Sequence, residues 1–139
     1  SQLVERHEAL RTTLVDRDGE PMQRIARHGA VQITQFECAG GDEDERCARA
    51  AVLLGELTTQ PFDLARGPLH RIALLRLGED DHVLLWLIHH AVGDLWSAMI
   101  LLREFTALYN AALHGRTVSL PASMLTPAFL YVSSAMCAQ

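Results

Sequence analysis

Six consecutive apolar residues, Val83 to Ile88, run straight into His89 and His90, and no other stretch limits the possible folds so tightly. The run is too short for an independent helix and has the length of a strand. Unbroken apolarity, without polar residues at alternate positions, implies a strand covered on both faces. The stretch "HVLLWLIHH" is therefore expected to be a central strand. It is preceded by "HRIALLRL" across the polar turn "GEDD", which reads as a second strand beside it.

The rest of the chain fits around this pair. "SQLVERHEAL" carries Leu3, His7, Leu10 and Leu14 at helical spacing, which predicts a helix with one buried face. In "TTLVDRDGEPMQRI", Asp18-Gly19 separates two short runs and predicts a hairpin. "AVQITQFE" alternates as a strand does. Asp42, followed three residues later by Glu45, is a helix-start pattern, and Cys47, Ala51, Leu54 and Leu57 supply the expected buried stripe. "PFDLARGPL" is a proline-punctuated connection. Asp94 is the expected N-cap of a helix reaching about His114, with Gly115 closing it. The fold class is α/β (α+β), a mixed sheet with helices packed on one side.

Composition narrows the function classes. The 139 residues suit one domain, and 49% hydrophobic with 21% charged residues is globular. A net charge of −5 provides no basic surface for nucleic acid or an anionic membrane. No apolar run reaches the ~20 residues of a membrane span, and no signal peptide opens the chain. Cys38, Cys47 and Cys137 are odd in number and lack CxxC spacing, against a disulfide framework or zinc knuckle. A cytoplasmic protein is the expectation. There is no internal repeat, and both ends read as cut: the first residues are already in a helical pattern, and residues 125–139 finish apolar and uncapped.

The paired histidines admit several chemistries. Alternation along a strand sends His89 and His90 to opposite faces, so one can be packed inside while the other faces a cavity. Both could be strand-end filler, with Asp94 explained as a cap. A metal site lacks a third ligand at suitable spacing. A Ser-His-Asp triad would have to recruit Ser97, and no serine lies in a nucleophile-elbow pattern. A lone histidine acting as general base, with a near-neutral pKa and no covalent partner, is the remaining reading.

Three segments in order carry a resemblance. "HHAVGDLWS" resembles the HHxxxDG signature of nonribosomal peptide synthetase condensation domains, which have the chloramphenicol-acetyltransferase-like fold. "RHEALRTTL" is similar to the RHExLRTxF segment of that family, and "PFDLARGPLHRIALLRLGEDDHVLLWLIHH" resembles the stretch leading to its active strand. The likeness spans residues 3 to about 120. It implies that His90 is the catalytic histidine, that His89 is structural, and that Asp94 holds the loop through an arginine, Arg6 or alternatively Arg11. Leu95 replaces the motif glycine, while Trp96 and Ser97 keep the usual pair. Residues 121–139 lack the pattern expected after the helix.

The resemblance also implies an incomplete site. Residues 1–139 would form part of the N-terminal subdomain, without the family's first motif or its C-terminal half. The implied reaction joins a donor acyl thioester to an acceptor amine, both carried on phosphopantetheine by acyl or peptidyl carrier domains. The chain itself would bind no cofactor or metal. Its expected partners are those carrier domains and the remaining half of the domain, or another chain completing it. Alone, the chain is expected to be inactive. Epimerisation domains and free-standing acyltransferases share the signature, and a non-catalytic docking or scaffold remnant is the alternative from another class. Heterocyclisation domains replace the first histidine and the last by aspartates, so His90 argues against that branch.

Overall fold

A computed structural model describes residues 2–121. Cys137 and the stretch 122–139 lie outside the described residues. The chain runs α1 (Gln2–Arg6), a 3₁₀ turn (Glu8–Arg11), β1 (Thr12–Arg17), β2 (Glu20–Ile25) and β3 (Ile33–Glu37). It continues through α2 (Glu43–Thr59), β4 (His70–Arg76), β5 (His82–Ile88) and α3 (Leu95–Leu113).

The N-terminal helix is shorter than its apolar spacing predicts. It stops at Arg6, and Leu14 belongs to β1 instead. Leu10 and Leu14 satisfy helical spacing, but Thr12 and Thr13 between them favour extended backbone. The Thr12 hydroxyl also donates to the Glu8 carbonyl at 2.8 Å, closing the turn at that point. Next, Asp18 and Gly19 adopt φ of 57° and 85°, the paired positive angles of a tight hairpin turn, and β1 pairs antiparallel with β2.

The second sheet has the order β3-β4-β5, with β3 parallel and β5 antiparallel to β4. The crossover from β3 to β4 contains α2, whose N-cap Asp42 accepts from the Glu45 amide at 2.9 Å. The stripe of α2 that packs on the sheet is Ala50, Leu53, Leu54 and Leu57, whereas Cys47 and Ala51 are exposed. The expected stripe had Leu54 and Leu57 right but was rotated at its N-terminal end.

β4, not β5, is the central strand. Among the described residues β5 pairs on one side only, and its residues are half-buried or exposed, while β4 is largely buried. Continuous apolarity signals that something can cover a strand; it does not say that these residues alone do so. Helices lie on both faces of this mixed sheet, where one side alone was expected. Val83 and Leu85 pack with Ala73, Leu75 and Leu57 beneath α2. Trp86 and Ile88, on the opposite face, pack with Val4, Leu10 and Leu101 from the α1 and α3 side. α3 ends at Leu113 with His114 as C-cap, and Gly115 follows at φ 60°.

Candidate active site

His89 and His90 follow the last residue of β5 and diverge. The His89 amide still continues the ladder, donating to the Leu69 carbonyl at 2.9 Å. Its ring is half-buried, meeting Phe62 edge-to-face with centroids 5.7 Å apart. The Ala91 amide donates to His89 Nδ1 at 3.1 Å, so that nitrogen must be unprotonated and the ring proton sits on Nε2.

His90 is exposed, and its Nδ1 lies 2.9 Å from the Gly93 carbonyl oxygen. A carbonyl can only accept, so Nδ1 carries a proton, and in the neutral ring Nε2 keeps a free lone pair. The two rings therefore have opposite tautomers, each fixed by one backbone partner in the turn 91–93. Gly93 suits that turn: a Cβ there would lie 3.0 Å from the Ile88 side chain, tighter than ordinary contact. Val92, between them, is buried and anchors the turn.

Asp94 caps α3. One carboxylate oxygen, Oδ1, accepts from both the amide and the hydroxyl of Ser97, each at 2.8 Å. The Ser97 amide, then its hydroxyl, hold the Asp94 carboxyl below its usual range. The expected ion pair with Arg6 or Arg11 is not formed. Arg6 Nε instead donates to Glu104 Oε2 at 3.0 Å, and His7 Nε2 lies 2.7 Å from the same oxygen. Arg11 pairs with Glu8 at 3.1 Å and donates to the Ala26 carbonyl. The reason is desolvation. Asp94 is exposed and already satisfied by its own helix, whereas Glu104 is 2% exposed and needs a cation far more.

Glu104 was not among the residues singled out from sequence. The available signal was a single carboxylate on the α3 face that holds Leu101 and Leu108, a place where a charge needs a partner. Leu95, at the motif glycine position, opens α3 and is 80% exposed, so its bulk makes little contact with the turn. Among the described residues no group of three or more His, Cys, Asp or Glu could hold a metal ion. No described helix is long and apolar enough to cross a membrane.

A surface-exposed imidazole with a fixed tautomer and a bare Nε2 can accept a proton from a group delivered to it. Comparison with known proteins identifies the setting. A family model described as Condensation domain matches residues 1–133. The phosphinothricin tripeptide synthetase PhsC of Streptomyces viridochromogenes is 42% identical over 119 residues, covering 86% of this chain and 11% of that protein. The solved structure of SgcC5 from Streptomyces globisporus superposes with a TM-score of 0.76 at 34% identity, covering 87% of this chain and 27% of that one. The epimerization domain from the third module of tyrocidine synthetase B gives 0.72 at 33% identity, covering 88% and 27%. The chain thus spans about a quarter of these solved structures.

Proposed function

The chain belongs to the condensation-domain family of nonribosomal peptide synthetases, and from that membership we propose that it supplies the histidine-bearing part of a domain that forms amide bonds. The donor is an acyl or aminoacyl thioester and the acceptor an amine, each delivered on the phosphopantetheine of a carrier domain. His90 is the catalytic residue. The observation that carries this assignment is the pairing of its Nδ1 with the Gly93 carbonyl, which leaves Nε2 bare on an exposed ring. His89 has its own Nδ1 occupied and its ring packed on Phe62, which suits a structural role.

In the proposed step the amine nitrogen attacks the thioester carbonyl carbon while His90 Nε2 takes a proton from the amine. The tetrahedral oxyanion then collapses, the C–S bond breaks, and the departing thiolate takes that proton back from His90 Nε2. Proton transfer to a positioned base contributes about 10²–10⁴-fold. Asp94 serves this arrangement as the cap that fixes where α3 begins after the turn, rather than by holding an arginine. Arg6 serves through Glu104, fastening α1 to α3, and Arg11 holds the segment around Ala26.

The test uses an intact domain containing this chain, with donor- and acceptor-loaded carriers. Dipeptidyl product read by mass spectrometry should fall about 10²–10⁴-fold in His90→Ala. Full activity in that variant overturns the assignment. An epimerisation reading is favoured by the comparable likeness to the tyrocidine synthetase domain. Inversion of the donor's α-carbon without amide formation, read by chiral chromatography, would establish it instead. The 139-residue chain alone should turn over nothing, because a reaction between two substrates needs both held in near-attack geometry. Product formed by the chain alone at the intact domain's rate would refute the partial-site reading.

A further inference from the structure

Arg71 leaves β4 on the face covered by α2 and completes that helix from outside. Its Nη1 donates to the Leu57 carbonyl at 2.8 Å and the Gln60 carbonyl at 3.3 Å, and its Nη2 to the Pro61 carbonyl at 3.4 Å. The last carbonyls of a helix have no partner within it and favour a cation, and α2 has no basic residue in its own last turn. The same guanidinium lies 4.6 Å above the Phe62 ring. Phe62 in turn meets the His89 ring at an interplanar angle of 82°. His89 holds the following turn twice, accepting from the Ala91 amide at Nδ1 and from the Val92 amide at its carbonyl. That turn carries the carbonyl that sets the His90 tautomer.

We propose that Arg71 and Phe62 are positioning residues for His90, acting through His89. This rests on the reading of His90 as the working base. The physical logic is a chain of restraints. Three carbonyls and a ring face fix the guanidinium, the guanidinium fixes Phe62, and Phe62 limits rotation of the His89 ring. A His89 ring free to rotate would release the Ala91 amide, and the turn holding His90 Nδ1 would lose half of its fastening.

Ring-nitrogen NMR of the labelled chain tests the restraint without using activity. The wild-type spectrum should show protonated Nε2 in His89 and protonated Nδ1 in His90. In Phe62→Leu the His89 signals should move to a tautomer average and amide exchange at Ala91 should quicken roughly tenfold, while Phe62→Tyr keeps the ring and the wild-type pattern. Arg71→Met should reproduce Phe62→Leu, and Arg71→Lys should not restore the wild type, because an ammonium cannot span the three carbonyls and the ring face. In the intact domain Phe62→Leu should lower kcat roughly tenfold to a hundredfold with little change in KM. Leu53→Ala, a core change elsewhere on α2, should lower Tm and leave both rings unchanged. Should Phe62→Leu fail to fold, Arg71→Met carries the same reading. Unchanged His89 and Ala91 signals in both variants overturn the proposal and leave the catalytic assignment of His90 standing. A fully active His90→Ala removes that assignment while the ring measurements stand on their own.

Discussion

The two faces of the three-stranded sheet are held by different means. Beneath α2, Cys38, Ala73 and Leu75 are fully buried against Ala50 and Leu57, an apolar contact between one long helix and all three strands. On the other face α1 has only five residues, and Ile33, Leu74, Leu84, Trp86 and Tyr109 line an open groove of about 750 Å³. There α1 meets α3 through a small apolar cluster in which Val4 and Leu101 are buried, and through the buried contact of Arg6 and His7 with Glu104. Where apolar area is scarce, a paired charge supplies the specificity of the join. Such a join is costly to break, even though the intact pair adds little net stability over a good apolar contact.

Glu104→Ala is the substitution that should hurt most. It leaves Arg6 and His7 facing a buried gap, and a loss of about 3–5 kcal/mol in denaturant unfolding is expected. A loss under about 1 kcal/mol would mean the open face is held by packing after all. The closed face should answer to volume instead. Leu75→Ala should cost about 2–5 kcal/mol, whereas Leu84→Ala, on the groove side and 39% exposed, should stay within roughly 0.5 kcal/mol. Equal costs for the two leucines would erase the distinction between the faces.

The smallest effect concerns acid. His70 lies across from Ile88, on the open side by alternation, and is 5% exposed, with no hydrogen-bond partner for either ring nitrogen among the described residues. Burial lowers its pKa from the ordinary 6.5, so the unfolded chain binds this proton more readily than the folded one. Stability from this group is complete above about pH 6.5 and declines as pH falls toward the lowered value. His70→Leu should flatten that part of the stability-against-pH curve. An unchanged slope would show that the ring is hydrated in solution.

What could be read from sequence was local. Asp18-Gly19, Asp42 and Asp94 each act within four residues, and all three formed the turn or cap expected of them. The divergence of His89 and His90 also follows from alternation alone. The misreadings share a different cause. Arg6 and His7 meet Glu104 across 98 and 97 residues, a choice settled by which carboxylate is buried, and burial is a property of the assembled fold. Phe62 and Arg71 sat inside a recognised stretch, yet their link to His89 depends on how α2 ends against the sheet. β5 looked central because its residues are apolar, but pairing on its second side depends on what lies beside it.

That one-sided strand bears on colloidal behaviour as well as on fold. The segment "HVLLWLI" has no glycine, proline or carboxylate and high β-propensity, the composition of a steric zipper. Asp80 and Asp81 stand immediately before it, where flanking charges discourage stacking of identical strands from many molecules. Without those charges, the edge of β5 that is unpaired among the described residues would be open to pairing with the same strand of a second molecule.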